Sequence, residues 1–147
     1  MINSGSQLIH AVAGSTVPHI SLQVGNSYGA GNYAMCGRSF NPRFLFSYPN
    51  AKSGVMGADQ LAGVMEIVKR KSAMSLNKVI DENLLLEEKK KLAEQADKKA
   101  SIWHTTSEVW DDGVIDPRDT RKYLSLALSA VYSSEIKGTD SFGVFRM

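Results

Sequence analysis

The stretch from Val24 to Arg38, with glycines at Gly25, Gly29, Gly31 and Gly37, most constrains what this chain can form. An apolar, β-branched run, His19-Ile20-Ser21-Leu22-Gln23-Val24, feeds straight into it. The residues Ala30, Asn32, Tyr33, Ala34 and Met35 then suit a short helix. Strand, glycine turn and helix start, in that order, predict unpaired backbone N–H groups facing outward at the first helical turn. Free donors and the helix dipole both favour negative charge there. Glycine can take positive φ, and with no Cβ it lets a ligand come close to the main chain. The stretch therefore points to a place where main-chain amides hold an oxyanion.

The remainder of the chain supplies a scaffold of ordinary globular character. With 147 residues it can build one domain with a core, and a net charge of +2 argues against a polyanionic partner such as nucleic acid. Basic residues crowd between Lys69 and Lys99, but acids are interleaved with them, as on a solvated helix surface. Cys36 is alone, so no intrachain disulfide forms and a reducing compartment is favoured. No apolar run approaches the roughly 20 residues of a membrane span. The first residues carry neither a signal peptide nor an Arg-rich transit segment. The chain opens directly into a helix-like segment, which suggests a piece of something larger.

Periodicity places the elements. Ile2, Leu8, Ile9, Val12 and Ala13 fall at helical spacing with one face inward, Gly14 closes that helix, and Pro18 starts the strand that follows. Phe44 to Tyr48 reads as a buried strand cut off by Pro49-Asn50, and Lys52 to Met56 as a short third strand ending at Gly54 or Gly57. Leu61, Val64, Met65 and Val68 define an amphipathic helix with that face inward. From Ser72 to Ala100 apolar residues thin to Leu84, Leu85, Leu86, Leu92 and Ala96. Acid-first pairs Glu87–Lys91 and Glu94–Lys98 appear, as in a helical excursion on the surface. Trp103 and Trp110 match one face of a short helix, broken by Asp111-Asp112-Gly113 before an extended Val114-Ile115. Asp116 can cap, Pro117 suits a first helical position, and a helix follows from Thr120 to about Ser133 with Leu124, Ala127, Leu128 and Val131 inward. Strands alternating with helices indicate an α/β class.

Side chains advertise little chemistry. Gly29-Ala30-Gly31-Asn32-Tyr33-Ala34 fits the glycine fingerprint of dinucleotide-binding folds, but no acidic residue closes the next strand, where Tyr48-Pro49-Asn50 stands. His10, His19 and His104 are scattered without metal-ligand spacing. Cys36 reads as a small buried thiol and Ser27 lacks a nucleophile-elbow context. If the chain catalyses anything, backbone donors do it.

Several motifs carry a family resemblance. Gly25 through Arg38, Pro42-Arg43-Phe44-Leu45, Pro49-Asn50-Ala51 and Val55-Met56-Gly57 resemble the carboxyltransferase subunits of biotin-dependent acyl-CoA carboxylases. So do Trp110-Asp111-Asp112-Gly113-Val114-Ile115-Asp116-Pro117, Thr120-Arg121, and the ending Gly143-Val144-Phe145-Arg146-Met147. Tyr28 to Tyr33 with Met35 to Arg38 favours the non-biotinylated β subunits acting on methylcrotonyl-CoA over the propionyl-CoA branch. The geranyl-CoA branch is a near relative. Three departures stand out: Asn26 replaces a usual glycine, Ala58-Asp59 replaces a common Gly-Glu before Gln60, and Glu108 replaces a usual arginine, a charge reversal just before Trp110.

The resemblance implies a crotonase-like fold of ββα units, with residues 1–147 forming the last part of a carboxyltransferase C-terminal domain and an excursion at about 72–100. It implies a ligase activity of leucine breakdown, carboxyl transfer from carboxybiotin to 3-methylcrotonyl-CoA, within an assembly. The alternatives are a related geranyl-CoA or propionyl-CoA carboxylase, or a non-catalytic structural fragment of such a complex. Implied partners are other β subunits in a hexameric core, a biotin-carrying α subunit and the acyl-CoA, with no nucleic acid, membrane or metal. The implied place is the mitochondrial matrix in a eukaryote and the cytoplasm in a bacterium. Carried onto this sequence, the amides of Ala30 and Gly31 face biotin and act catalytically, Gly29 supplies the turn, and Tyr28 forms a wall. Proton removal from the substrate would fall to the cofactor, and the donors for the thioester enolate would lie in another domain.

Overall fold

The computed structural model describes residues 2–138, so the closing motif Gly143 to Met147 lies outside the described residues. In chain order the elements are α1 (Ile2–Gly14), β1 (Ile20–Gln23), β2 (Asn26–Tyr28), α2 (Gly29–Ala34), a 3-10 turn (Arg38–Phe40), β3 (Phe44–Ser47) and β4 (Lys52–Gly54). They continue with α3 (Ala58–Ser75), α4 (Glu82–Ala100), α5 (Ile102–Ser107), β5 (Gly113–Val114), a second 3-10 turn (Pro117–Asp119) and α6 (Thr120–Val131).

The strands sort into two parallel sheets, one ordered β1-β3-β5 and the other β2-β4. Ile20 lies opposite Phe44 and Gln23 opposite Ser47, while Ser47 also meets Val114. In the smaller sheet Asn26 lies opposite Lys52 and Tyr28 opposite Gly54. Parallel partners cannot be joined by a tight hairpin, so each needs a crossover. Here two successive turns of chain each give one strand to each sheet and then a helix. This is the ββα repeat.

That repeat corrects the expected passage from strand through glycine turn to helix. A second strand, β2, intervenes between β1 and α2. It forms because Asn26, Ser27 and Tyr28 meet Lys52, Ser53 and Gly54 edge to edge, a tertiary pairing that local pattern does not encode. Asn26 is extended there, so it makes no demand on positive φ and replaces a glycine at no backbone cost.

The main core lies around Phe46, Ile115 and Ala127, packed by Ile20, Leu22, Phe44, Tyr48 and Tyr123. Phe44 and Phe46 share one face of β3 by strand alternation, and their rings stack with centroids 5.9 Å apart. On the opposite face Leu45 and Ser47 are buried too, as expected for a central parallel strand covered on both sides.

The Trp110–Pro117 motif closes this sheet. Val109 is left-handed (φ 56°), which ends α5 and turns the chain back. Asp112 accepts from Leu45 N–H at 2.7 Å, while Asp112 N–H donates to Leu45 O at 2.8 Å, stapling β5 to β3. Ile115 drops into the core, and Asp116 accepts from Arg118 N–H at 2.9 Å and from the Arg118 guanidinium, which holds its carboxyl down to about 2. Tyr48 Oη and Thr120 Oγ1 share a 2.7 Å hydrogen bond that ties β3 to α6.

Several expected inward faces stay open. Trp103 is exposed on α5, and Trp110 lies beyond that helix, so the two do not share its face. Leu128 is exposed while Ala127 and Val131 are buried, because the α6 face turned to the core is centred on Ala127. Val64, Met65 and Val68 are exposed on α3, where only Ala62 is buried. Leu8 of α1 is exposed as well.

Ser72 lies inside a helix rather than at a boundary. α3 runs unbroken to Ser75, left-handed Asn77 (φ 48°) turns the chain, and α4 returns as its antiparallel partner. Asp81 caps α4 by accepting from Asn83 N–H at 2.9 Å. The ion pairs run across this hairpin rather than along α4. Arg70 holds Glu82 through two 2.7 Å bonds, Glu66 takes Lys89 at 2.9 Å, and Lys69 meets Glu88.

Glu66 is held below the ordinary carboxylate value mainly by Lys89, then by Arg70, and Glu82 mainly by Arg70. A carboxyl depressed in the folded state stabilises above its unfolded pKa and loses that contribution as pH falls through the folded one. The hairpin is therefore expected to lose amide-exchange protection in α4 between pH 5 and pH 3, modestly and in a salt-sensitive way because the pairs are exposed. Equal protection at the two pH values, after correction for intrinsic exchange, would show that the pairs hold nothing.

Candidate functional site

The glycine stretch sits where the two sheets diverge. Gly25 marks the bend out of β1, β2 follows, and Gly29 opens α2 in the left-handed region (φ +54°). A Cβ at Gly29 would lie 3.1 Å from Val55 O, so the turn passes tightly under the end of β4. Both the conformation and the close approach call for glycine here.

α2 has only six residues, too few for a large dipole, so the local donors matter more than the macrodipole. Amides of a first helical turn have no acceptor inside their helix. The turn is entered through extended Tyr28, which contributes no side-chain cap. Ala30 and Gly31 are both exposed, and a Cβ at Gly31 would meet nothing within 4 Å. Among the described residues, neither amide donates to backbone outside these elements.

Around this turn the chain is tightly braced. Asn32 Nδ2 donates to Ser27 Oγ on β2 at 2.9 Å and to Ser53 Oγ on β4 at 3.3 Å. Asn32 O accepts from Gly37 N–H at 2.8 Å. The Asn32 carboxamide fills the space a Cβ at Gly37 would need, with Oδ1 only 1.7 Å from that position. Cys36 ends the helix in the left-handed region (φ 54°) and is buried. Burial pushes its thiol pKa up, against a smaller lowering by Ser21, whose Oγ donates to Cys36 O at 2.7 Å. A raised thiol is a poor nucleophile at neutral pH.

A cleft of about 210 Å³ opens beside the turn, lined among others by Gly29, Asn32, Tyr33, Gly54, Val55 and Trp110. Arg38 Cζ lies 4.9 Å from the Trp110 ring centroid at its rim, and Thr106 Oγ1 donates to Asp111 at 3.0 Å. Of the four residues the sequence singles out, Gly29 lines this cleft, while Ala30 and Gly31 lie exposed on the adjacent surface. The Tyr28 ring packs over Gly54, with Cε1 3.4 Å from where its Cβ would be. Glu108, at the end of α5, is exposed and enters no ion pair among the described residues. Among the described residues, no group of three or more His, Cys, Asp or Glu is placed to hold a metal ion, and no helix is long and apolar enough to cross a membrane.

The carboxyl transferase domain family matches residues 1–144. The chain belongs to this family. It is 50% identical over 147 residues to a probable biotin-dependent acyl-coenzyme A carboxylase beta2 subunit of Mycobacterium tuberculosis, covering 100% of this chain and 28% of that protein. It is 44% identical over 147 residues to the mitochondrial methylcrotonoyl-CoA carboxylase beta chain of Dictyostelium discoideum, covering 97% and 24%. The beta subunit of P. aeruginosa geranyl-CoA carboxylase superposes with a TM-score of 0.78 at 40% identity, over 97% of this chain and 27% of that one. The chain thus spans about a quarter of the length of these relatives. The crotonase-like carboxyltransferase fold expected from the motifs is the fold observed.

For a carboxyl transferase domain built this way, the fingerprint reading as a dinucleotide site loses its structural context. Here the glycines lead from β2, a strand of the smaller sheet, into a six-residue helix. The sequence also left the Asn32 brace unseen. Its partners lie five and 21 residues away, and only the β2–β4 register brings Ser27 opposite Ser53.

Gly37→Ala is expected to destabilise the protein by about 1–3 kcal/mol through forced displacement of Asn32. Adding Asn32→Ala removes the carboxamide, though not Asn32 O, which lies 2.7 Å from the same Cβ position, so urea melts of the double-mutant cycle should show the second change costing less in the Gly37→Ala background. Simple additivity would mean that the two residues do not compete for that space.

Proposed function

We propose that this chain forms the biotin-facing part of a carboxyltransferase that moves a carboxyl group from carboxybiotin to 3-methylcrotonyl-CoA. The observation carrying this reading is the likeness of almost the whole chain to a methylcrotonoyl-CoA carboxylase beta chain, joined to the exposed residues Ala30 and Gly31 in the first turn of α2. These residues fit the cofactor on structural grounds. Ala30 and Gly31 are exposed residues, Gly31 leaves open space where a side chain would stand, and Gly29 allows the turn.

When bound, biotin supplies the activated carboxyl group and a ureido oxygen on which negative charge grows. The chain's own contribution is electrostatic. Ala30 N–H and Gly31 N–H would hold that charge, each fixed donor contributing about 3 kcal/mol to the transition state. Gly29 sets the direction of the turn, and Tyr28, anchored on Gly54, bounds it. No side-chain base is assigned, in keeping with scattered histidines and a buried, raised Cys36 thiol.

The partners of this reading are further copies of the chain in a hexameric core, a biotin-carrying α subunit, and acyl-CoA held outside this chain. Exposed apolar residues on several helices, among them Val64, Ile67 and Val68 of α3 and Leu126 of α6, offer surface for such assembly. In a eukaryotic source the place is the mitochondrial matrix, supported by the name of the Dictyostelium relative, and in a bacterial one the cytoplasm. A geranyl-CoA preference is the second reading, favoured by the superposition on the geranyl-CoA carboxylase beta subunit.

The native complex, purified whole, is expected to carboxylate 3-methylcrotonyl-CoA in a bicarbonate-dependent way. A clearly higher kcat/KM for geranyl-CoA or propionyl-CoA would overturn the substrate. Gly31→Pro removes one N–H at the third residue of α2 and also disfavours the helical conformation of Ala30 before it, and is expected to lower kcat by about 100-fold. Unchanged turnover in the assembled variant would end the oxyanion role.

A further inference from the structure

We infer that Asn32 is a positioning residue, whose carboxamide sets the aim of the Ala30 and Gly31 amides by tying α2 to both strands of the smaller sheet. This inference rests on the reading of those amides as the anion-holding donors. The need for a brace follows from size. β2 and β4 have three residues each and α2 six, so backbone pairing alone gives the turn little rigidity. Neither Tyr28 before the helix nor Met35 after it contributes a side-chain cap.

Asn32 supplies what the backbone lacks. One nitrogen, Nδ2, reaches Ser27 Oγ at 2.9 Å and Ser53 Oγ at 3.3 Å, and so spans the β2–β4 seam where those two residues lie opposite each other. The carboxamide oxygen is wedged against Gly37 Cα, and the main-chain oxygen accepts from Gly37 N–H. The side chain is therefore restrained at its nitrogen, at its oxygen and at its own backbone. Because Asn32 follows Gly31 directly, its fixed Cα also fixes the peptide next to the donor. Oxyanion donors work within a few tenths of an ångström of their target, and a displacement near 1 Å can cost about 100-fold in rate. Asn32 also lines the 210 Å³ cleft beside Gly29, so its placement governs the wall that adjoins the turn.

The test uses the assembled enzyme with Asn32→Ala, Ser27→Ala, Ser53→Ala and the Ser27→Ala/Asn32→Ala pair. Turnover is expressed per acyl-CoA-binding site, titrated in the same preparation. Asn32→Ala is expected to lower per-site kcat 10- to 100-fold with KM for acyl-CoA within two-fold of the parent. Each serine variant should lower it a few-fold, and the pair should be no worse than Asn32→Ala alone. A merely structural role would instead reduce the number of binding sites and leave per-site kcat unchanged, which overturns the inference. If Asn32→Ala does not assemble, the two serine variants decide: unchanged per-site kcat in both overturns it. Gly31→Pro separates the two ideas. Lost turnover in Gly31→Pro with unaffected Asn32→Ala refutes the brace alone, whereas unaffected turnover in Gly31→Pro refutes the donors on which the brace depends.

Discussion

Three separate parts of the chain meet on β3. β1 lies along one edge, β5 along the other, and side chains above and below bury both faces. Parallel pairing of this kind gains nothing from neighbours in sequence, so every contact must be brought from a distance. Asp112 provides the last of these contacts, donating to Leu45 O and accepting from Leu45 N–H across 67 residues. With β3 held, its continuation into β4 places Ser53 opposite Ser27, and only then can Asn32 bridge the two. The order of dependence runs from the buried sheet outward to the glycine turn.

Local chemistry made some elements readable from sequence alone. Phe44 to Ser47 is a buried strand bounded by proline, Gly14 closes α1, and Asp116-Pro117 opens the helical stretch ahead of α6. Each rests on a signal carried by adjacent residues. β2 was not readable, because Asn26-Ser27-Tyr28 has no strand pattern of its own and becomes extended only against β4. Trp110 was misplaced for a related reason: the left-handed Val109, a β-branched residue that disfavours that conformation, ends α5 where a continuing helix was expected.

The glycines of the candidate site stood out in the sequence, whereas the side chains around them did not. Gly29 and Gly31 stand out because glycine at a turn has a physical meaning, positive φ in the first case and open space in the second. Asn32 looks like any helix residue until its partners are known. Amphipathic periodicity was informative in another sense. The apolar stripe of α3 exists, but α4 spends its side chains on ion pairs with Glu66, Lys69 and Arg70 and leaves Val64, Ile67 and Val68 uncovered.

On the proposed reading, a function carried by peptide groups would be invisible to the usual ways of finding important residues. Position 30 is already alanine, and at position 31 a methyl group would project into empty space, so truncating side chains one by one would leave both proposed donors in place. Damage would then register at the surrounding scaffold, at Gly29 with its left-handed backbone, at Asn32 with its bond to Ser27, and at Gly37, whose missing Cβ leaves room for the Asn32 carboxamide. Inherited or laboratory changes that silence such a protein should therefore cluster in a ring around an apparently indifferent centre.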